Sequence, residues 1–555
     1  MPRRLACLVA FVLFPALASG QAITAPQPAP PRDASAKTGT ARIRGHVFAA
    51  DSGQPLRKVI IRAFSPELRE NRSTTTDMQG SYELKDLPAG RYSLSTSKGG
   101  YVGLSYGQTR PFEAGKPLQV LDGQTIEKVD FSLPRGGVIT GRIVDEYGEA
   151  VSDVAVMAMR YVFMEGRRRL SPTARSSMTN DIGEFRIFGL PPGSYYLSAT
   201  LRNFMAAETD DRSGYAPTYY PGTGNVAEAQ KLTVGLGQTV SDINMPLVTA
   251  RTSRVSGTAV DADGRPMAGG FVSMLQRTGI AMFGMTGAQI KADGGFVIPS
   301  VAPGDYQLQA TAGGGLGADG DYASTQLTVV GDDVTGVHLI GVKPSSATGR
   351  IIVDPAAAKS LQPSTIRLYI SPVNPDNSLF MGSGGGKVND DLTFELKTRP
   401  GTSVIRLGSM LPGWSLKAVR LGGADVTDAG IEFRPNENVE GIEVELTNHP
   451  AEVSGLVTND RDEPVKDYSV VIFARDREKW NASSRYFGMG RPDQDGRFKV
   501  EALPPGRYYA VALDYADPGE ARDPDFLEKL QDKATTFTLG EGEAKVMDLK
   551  VQSGS

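Results

Sequence analysis

"FRIFGLPPGSYYL" occupies Phe185 to Leu197, and "FKVEALPPGRYYAV" begins at Phe498. Nearly the same dozen residues are written twice, some 300 positions apart. Two looser copies exist as well. A glycine that follows a polar turn and the glycine of a proline turn stand ten residues apart four times. The pairs are Gly80 and Gly90, Gly183 and Gly193, Gly294 and Gly304, and Gly496 and Gly506. Two residues after the first glycine comes Tyr82, Phe185, Phe296 or Phe498; two after the second comes Tyr92, Tyr195, Tyr306 or Tyr508. Self-similarity at a long period is the signature of a repeat architecture.

Each copy reads as two strands. Apolar residues alternate in the first (Phe185 and Ile187, Phe498 and Val500) and again in the second (Tyr92 and Leu94, Tyr195 and Leu197). A period of two places these side chains on one buried face. Phe185 and Tyr195 are therefore expected to be buried, on paired or neighbouring strands. Between the strands stand "LPAG", "LPPG", "APG" and "LPPG". Proline fixes φ and removes a ladder donor, and glycine supplies a left-handed position, so the turn stops one strand and aims the next.

A second phrase precedes each pair: "IRGHVFAADSGQPL", "ITGRIVDEYGEAV", "VSGTAVDADGRPM" and "VSGLVTNDRDEPV". Its early glycines are Gly45, Gly141, Gly257 and Gly455, and Gly349 in "ATGRIIVDPAAA" continues the series. The steps are 96, 116, 92 and 106 residues, each the size of an immunoglobulin domain. The fourth copy is degenerate: "DDLTFELKTRPGTSVIRL" keeps Phe394 and Pro400-Gly401 at a spacing one residue short, which predicts the same fold with an altered loop. Several short alternating strands per ~100 residues argue for two-sheet sandwiches. The predicted class is all-β, a tandem array of about five immunoglobulin-like (prealbumin-like) β-sandwich domains at 41–134, 138–248, 252–343, 345–447 and 451–552. Linkers such as Arg135 to Gly137 are short, so a semi-flexible string of beads is expected. One short helix is predicted, near Asp525 to Asp532.

Arg3 and Arg4 followed by the apolar run Leu5 to Leu17, with small residues Ala16, Ala18, Ser19 and Gly20, read as a signal peptide over 1–20. The run is too short for a comfortable membrane span. Cleavage before Gln21 removes two cations and takes the formal charge from −4 to −6. It also removes Cys7, the one cysteine, so an exported chain would rely on packed cores rather than disulfides. Residues 21–40 are rich in proline and alanine and read as a disordered or extended linker. No later segment has the length of a membrane helix, and the acidic balance gives no reason to expect nucleic acid.

On these phrases, "GRIVDEYGEAVSDVAVMA" followed by "TNDIGEFRIFGLPPGSYYLSA" resembles the carboxypeptidase regulatory-like domain, a small prealbumin-like sandwich also similar to starch-binding-type folds. The resemblance recurs in four copies and weakly in the degenerate one, covering nearly all of 41–552. It implies an exported protein, often bacterial, with modules for surface presentation, adhesion or glycan contact. It does not imply an activity. In carboxypeptidases the module accompanies a zinc peptidase domain, and in outer-membrane receptors it precedes a plug and barrel. Neither pattern is expected here.

No catalytic constellation stands out. His46, His338 and His449 fall in different copies, whereas a zinc site needs clustered ligands. "GLGADG" at Gly315 to Gly320 has the letters of a dinucleotide motif without the strand and helix that site requires. The turns Asp261 to Gly264 and Pro492 to Gly496 resemble pieces of calcium loops, but hairpin chemistry explains their Asp and Gly without an ion. No metal and no cofactor are expected. The candidate ligand contacts are loop aromatics: Tyr106 in the first copy, Tyr215, Tyr219 and Tyr220 in the second, Trp480 and Tyr486 in the last. Such rings can stack on sugars or anchor a protein, or they can cap their own sandwich. The expected function is non-enzymatic: an exported protein at the cell envelope (periplasmic, surface or secreted) that contacts a polysaccharide or an envelope protein. The alternative is a structural spacer or interaction scaffold without glycan affinity. Rings clustered on a face would favour the first reading; rings buried between copies would favour the second.

Overall fold

The computed structural model describes residues 39–552, apart from 69–70, 111, 165–166, 202–212, 277–285, 313–319, 374–383, 409–410, 412 and 482–483. The signal peptide, most of the linker and nearly all of the "GLGADG" loop lie outside the described residues. The second copy shows the local logic. Gly137–Val144 pairs antiparallel with Glu184–Leu190 and parallel with Thr239–Pro246, making one sheet. The facing sheet runs Arg167–Met178, Val154–Met164, Gly193–Leu201, Thr218–Tyr219, with Leu232–Val234 also on Gly193–Leu201. Ile139, Ile143, Phe185 and Ile187 from the first sheet meet Val154, Val156, Tyr195 and Leu197 from the second in one core.

Phe185 and Tyr195 are thus buried as the period-two pattern requires, but their strands are not partners. The Pro191-Pro192-Gly193 turn carries the chain from one sheet to the other. Alternation tells which face of a strand is buried; it does not tell which sheet the strand joins. The second tyrosine explains the turn further. The Tyr195 hydroxyl donates to the Pro191 carbonyl oxygen at 2.6 Å. Tyr92 does the same to Pro88 at 2.8 Å, Tyr306 to Ala302 at 2.8 Å and Tyr508 to Pro504 at 2.6 Å. Each ring fills the core while its one polar atom fastens the corner, and burial pushes the Tyr92, Tyr195 and Tyr306 phenols up to about 12.

The five early glycines have one shared cause. A Cβ on Gly45, Gly141, Gly257, Gly349 or Gly455 would lie 1.8–2.0 Å from a carbonyl oxygen of the closing strand or the turn before it: Val129, Ile243, Val337, Ile442 or Met547. In four copies the residue just before that carbonyl has a left-handed backbone: Lys128, Asp242, Gly336 and Gly441. The bulge drives the carbonyl against the first strand, and only glycine leaves room. An aromatic pairs opposite each glycine: Tyr82, Phe185, Phe296, Phe394 and Phe498. Gly349 and Phe394 obey the rule, so the degenerate copy keeps the sandwich geometry. Its departure is an added strand, Ser415–Leu421, antiparallel to Asn438–Thr447.

In the last copy Ser469–Ala474 is buried at every residue. Val470 and Ile472 face the sandwich core, while Val471 and Phe473 are covered from outside by the helix Pro524–Leu530 through Leu527 and Leu530. Asp523 caps that helix by accepting from the Asp525 N–H at 2.9 Å. The described residues from Gly39 to Gln552 group as one unit. The reason lies in contacts between copies far apart in sequence.

Candidate functional site

The nominated aromatics fall into two groups. Tyr219 and Trp480 are buried, each 8% exposed, which corrects their reading as ligand contacts: neither presents a free face. Tyr219 lies on the two-residue strand Thr218–Tyr219, paired to Ser198 and Ala199. Trp480 packs edge-on against Phe473 and donates its indole N–H to the Ala474 carbonyl at 2.7 Å. It belongs to the layer sealed by the terminal helix.

The other four are half-buried and lean on their own sandwiches. Tyr106 packs against the first core and meets Phe131 edge-on at 6.1 Å. Tyr215 and Tyr220 pack against the second core. The Tyr215 hydroxyl donates to Glu146 at 3.1 Å; burial and that carboxylate push it up to about 12. Tyr486 stacks over Tyr508 at 6.3 Å, with Lys479 Nζ 4.0 Å from its ring centre. The six are not brought together on one surface; they fall in three copies, the first, second and last. Phe112 is taken by the neighbouring copy, with the Arg160 guanidinium 3.4 Å from its ring centre.

The remaining sequence candidates are also engaged. The Asp493 carboxylate of the last turn accepts from the Asp495 and Arg497 amides at 2.9 and 3.0 Å. Asp261 accepts from the Asp263 and Arg265 amides and pairs with the Arg265 guanidinium at 2.9 Å. His338 Nδ1 lies 3.0 Å from Thr258 Oγ1, and His46 stacks on Phe48. Among the described residues no three His, Cys, Asp or Glu side chains gather as a metal site would need.

What sequence reasoning missed is a polar junction between the first and last copies. Arg491, its side chain 3% exposed, reaches Glu113, 1% exposed, at 2.6 Å, and Asp467 at 2.8 Å. The second Glu113 oxygen accepts from the Thr109 amide and hydroxyl and from the Arg110 amide. Lys116 Nζ bonds the Lys466 carbonyl at 2.6 Å and Asp467 at 3.2 Å. Burial raises the Asp467 carboxyl, but Lys116 and Arg491 offset this and hold it below the usual carboxylate range. Gln119 and Gln494 exchange hydrogen bonds at 3.0 and 3.2 Å. The fourth and fifth copies are joined likewise: Arg485 forks onto Asp428 with two bonds of 2.9 Å, and Lys417 pairs with Glu541 at 2.7 Å. Such a surface can hold modules in register, since paired and hydrogen-bonded buried charges tolerate few other arrangements. Glu113 and Arg491 stand 378 residues apart, and neither belongs to a repeated phrase.

Comparison with known proteins places the first copy. Residues 42–134 match the family model of the carboxypeptidase regulatory-like domain, as the resemblance read from the repeated phrases implies. A stretch of 56 residues is 41% identical to the TonB-dependent transporter Oar of Myxococcus xanthus, covering 10% of this chain and 5% of that protein. The chain therefore spans about a twentieth of the length of that curated relative. Solved structures with local likeness include GBS52, the minor pilin of Streptococcus agalactiae (12% identity, 38% of this chain and 98% of that one, TM-score 0.22). The two B repeats of the collagen binding protein of Staphylococcus aureus are also similar (12% identity, 73% and 99%, TM-score 0.13). No described helix is long and apolar enough to cross a membrane.

Proposed function

We propose that the chain is a non-enzymatic scaffold of the cell envelope, exported by its N-terminal segment, whose five carboxypeptidase regulatory-like sandwiches hold one fixed arrangement. The observation that carries this reading is where the aromatics and buried charges go. Two nominated rings are buried within their sandwich layers, and the buried pair Arg491–Glu113 joins the first copy to the last. Tyr219, Trp480 and the Arg491–Glu113 pair are engaged within the chain. The glycan reading retains the half-buried faces of Tyr106, Tyr215, Tyr220 and Tyr486, distributed over three cores.

A glycan array probed with the mature chain tests this choice. The scaffold reading expects no binding above that of an unrelated β-sandwich control. Binding lost on Tyr215→Ala with Tyr220→Ala would instead establish a saccharide surface in the second copy. N-terminal sequencing of the protein recovered from outside the cytoplasm is expected to begin at Gln21. Retention of Met1 in that protein would remove export by cleavage from the proposal.

A further inference from the structure

The chain has two tryptophans. Trp480 is buried, whereas Trp414 is half-buried and lines a cleft of about 450 Å³ where the first, fourth and fifth copies meet. That volume is within the range of small-molecule sites. Leu411, Leu416 and Pro450 make the walls largely apolar beside the indole. Four cations also line the cleft: Arg91, Arg406, Arg485 and Lys499.

Three of these are held by carboxylates. Arg485 forks onto Asp428 at 2.9 Å. Arg406 reaches Asp428 at 3.3 Å and the Thr427 carbonyl at 2.6 Å. Lys499 Nζ lies 2.7 Å from both Glu452 and Glu501. Glu501, which also lines the cleft, shares that one cation with Glu452, and Glu67 is not a free carboxylate either. Arg91 differs. Among the described residues its hydrogen bond is a 3.3 Å contact from Nη1 to the Lys499 carbonyl; Glu501 and Asp493 act on it through space, but no carboxylate bonds it directly. Burial pushes its guanidinium below the ordinary value. A guanidinium carries five N–H donors in a planar fork that matches a carboxylate. Half-buried, with one long hydrogen bond among its five donors, it can still accept an incoming anion.

We infer that this cleft binds a carboxylate carried on an apolar body, with the Arg91 fork on the carboxylate and Trp414 and the leucines against the body. A free organic acid and the C-terminus of an apolar peptide share this chemistry. The inference rests on the fixed arrangement of the copies, since the cleft is built where three of them meet, and small-angle scattering tests that arrangement separately from binding. The bland alternative is an arginine that only bridges the first copy to the fifth.

The test titrates the full mature chain with 3-phenylpropanoate, with N-acetyl-leucyl-phenylalanine and with the C-terminal amide of that dipeptide, followed by tryptophan emission and calorimetry. Saturable binding of at least one acid is expected, with the amide weaker by about tenfold or more, the usual effect of losing a charge-assisted hydrogen bond. Binding of the small acid alone assigns a free organic acid, and binding of the dipeptide alone assigns a peptide terminus. Arg91→Gln is expected to weaken binding by the same factor. Arg91→Lys, which keeps the charge without the fork, is expected to fall between, and it decides the matter where R91Q alters the circular dichroism. No saturable response to either acid overturns the inference. So does an amide that binds as well as the acid, or an R91Q chain with wild-type affinity and an unchanged spectrum.

Discussion

Arg491→Met is the most informative single change. It keeps the stem of the side chain and removes the guanidinium, leaving Glu113 buried with Oε1 unpaired. Removing one partner of a buried ion pair costs about 3–5 kcal/mol. Solvent screening gives little relief here, because both side chains are nearly fully buried. The cost falls on docking of the last copy against the first, not on either sandwich core, since neither residue belongs to a core cluster. The readout is hydrogen exchange of Thr109 and Arg110, whose amides are held by the same Glu113 carboxylate. A loss of 3–5 kcal/mol accelerates exchange by about two to three and a half decades where opening controls it. Glu113→Gln added to R491M is expected to restore part of that loss, because the stranded charge disappears. A coupling of about 1–3 kcal/mol is typical of residues in contact. The exposed pair Arg350–Glu443 serves as control, and R350M should shift exchange by less than a factor of about five. Exchange at Thr109 and Arg110 unchanged in R491M would refute the argument that this pair holds the copies together.

Three further outcomes follow from the same structure. Tyr195→Phe deletes the hydroxyl that fastens the Pro191 corner and should lower stability by about 1 kcal/mol in chemical denaturation, with Tyr508→Phe giving a similar loss. Gly141→Ala places a Cβ 1.8 Å from the Ile243 carbonyl oxygen and should cost at least about 3 kcal/mol, whereas Gly148→Ala, left-handed but in open space, should cost about 1 kcal/mol. Asp467 titrates below its ordinary value, so its contribution is complete above an unfolded pKa near 4 and is lost as pH falls through the lower folded value. Melting temperatures from pH 7 down to 3 should therefore show a steeper acid limb in the wild type than in Asp467→Asn.

Most of the fold was legible because its rules are local. The alternation of Phe185, Ile187, Tyr195 and Leu197 gave the buried faces, and the spacing of Gly45 to Gly455 marked five equivalent first strands. What the proline corner joins was not legible, since a period of two is blind to sheet membership. The run "SVVIFA" at Ser469 to Ala474 carried a signal of burial on both faces, and the helix near Asp525 carried a signal of an amphipathic cover. The two had to be connected across about 50 residues to show that Trp480 sits between them. Trp480 and Tyr219 were misread because loop aromatics look alike in sequence whether they face inward or outward. The junction itself left no mark, because charges paired across 378 residues follow no periodicity.

Small-angle scattering from the mature chain tests the central claim most directly, namely that the copies close into one fixed body. Beads strung end to end and free of one another have a larger radius of gyration than the same beads docked first to last. The account predicts a scattering curve that matches docked first and last copies, with a radius of gyration that does not rise between low and moderate salt. An extended curve at every salt concentration would contradict it, and would return the sequence-level picture of a string of independent sandwiches.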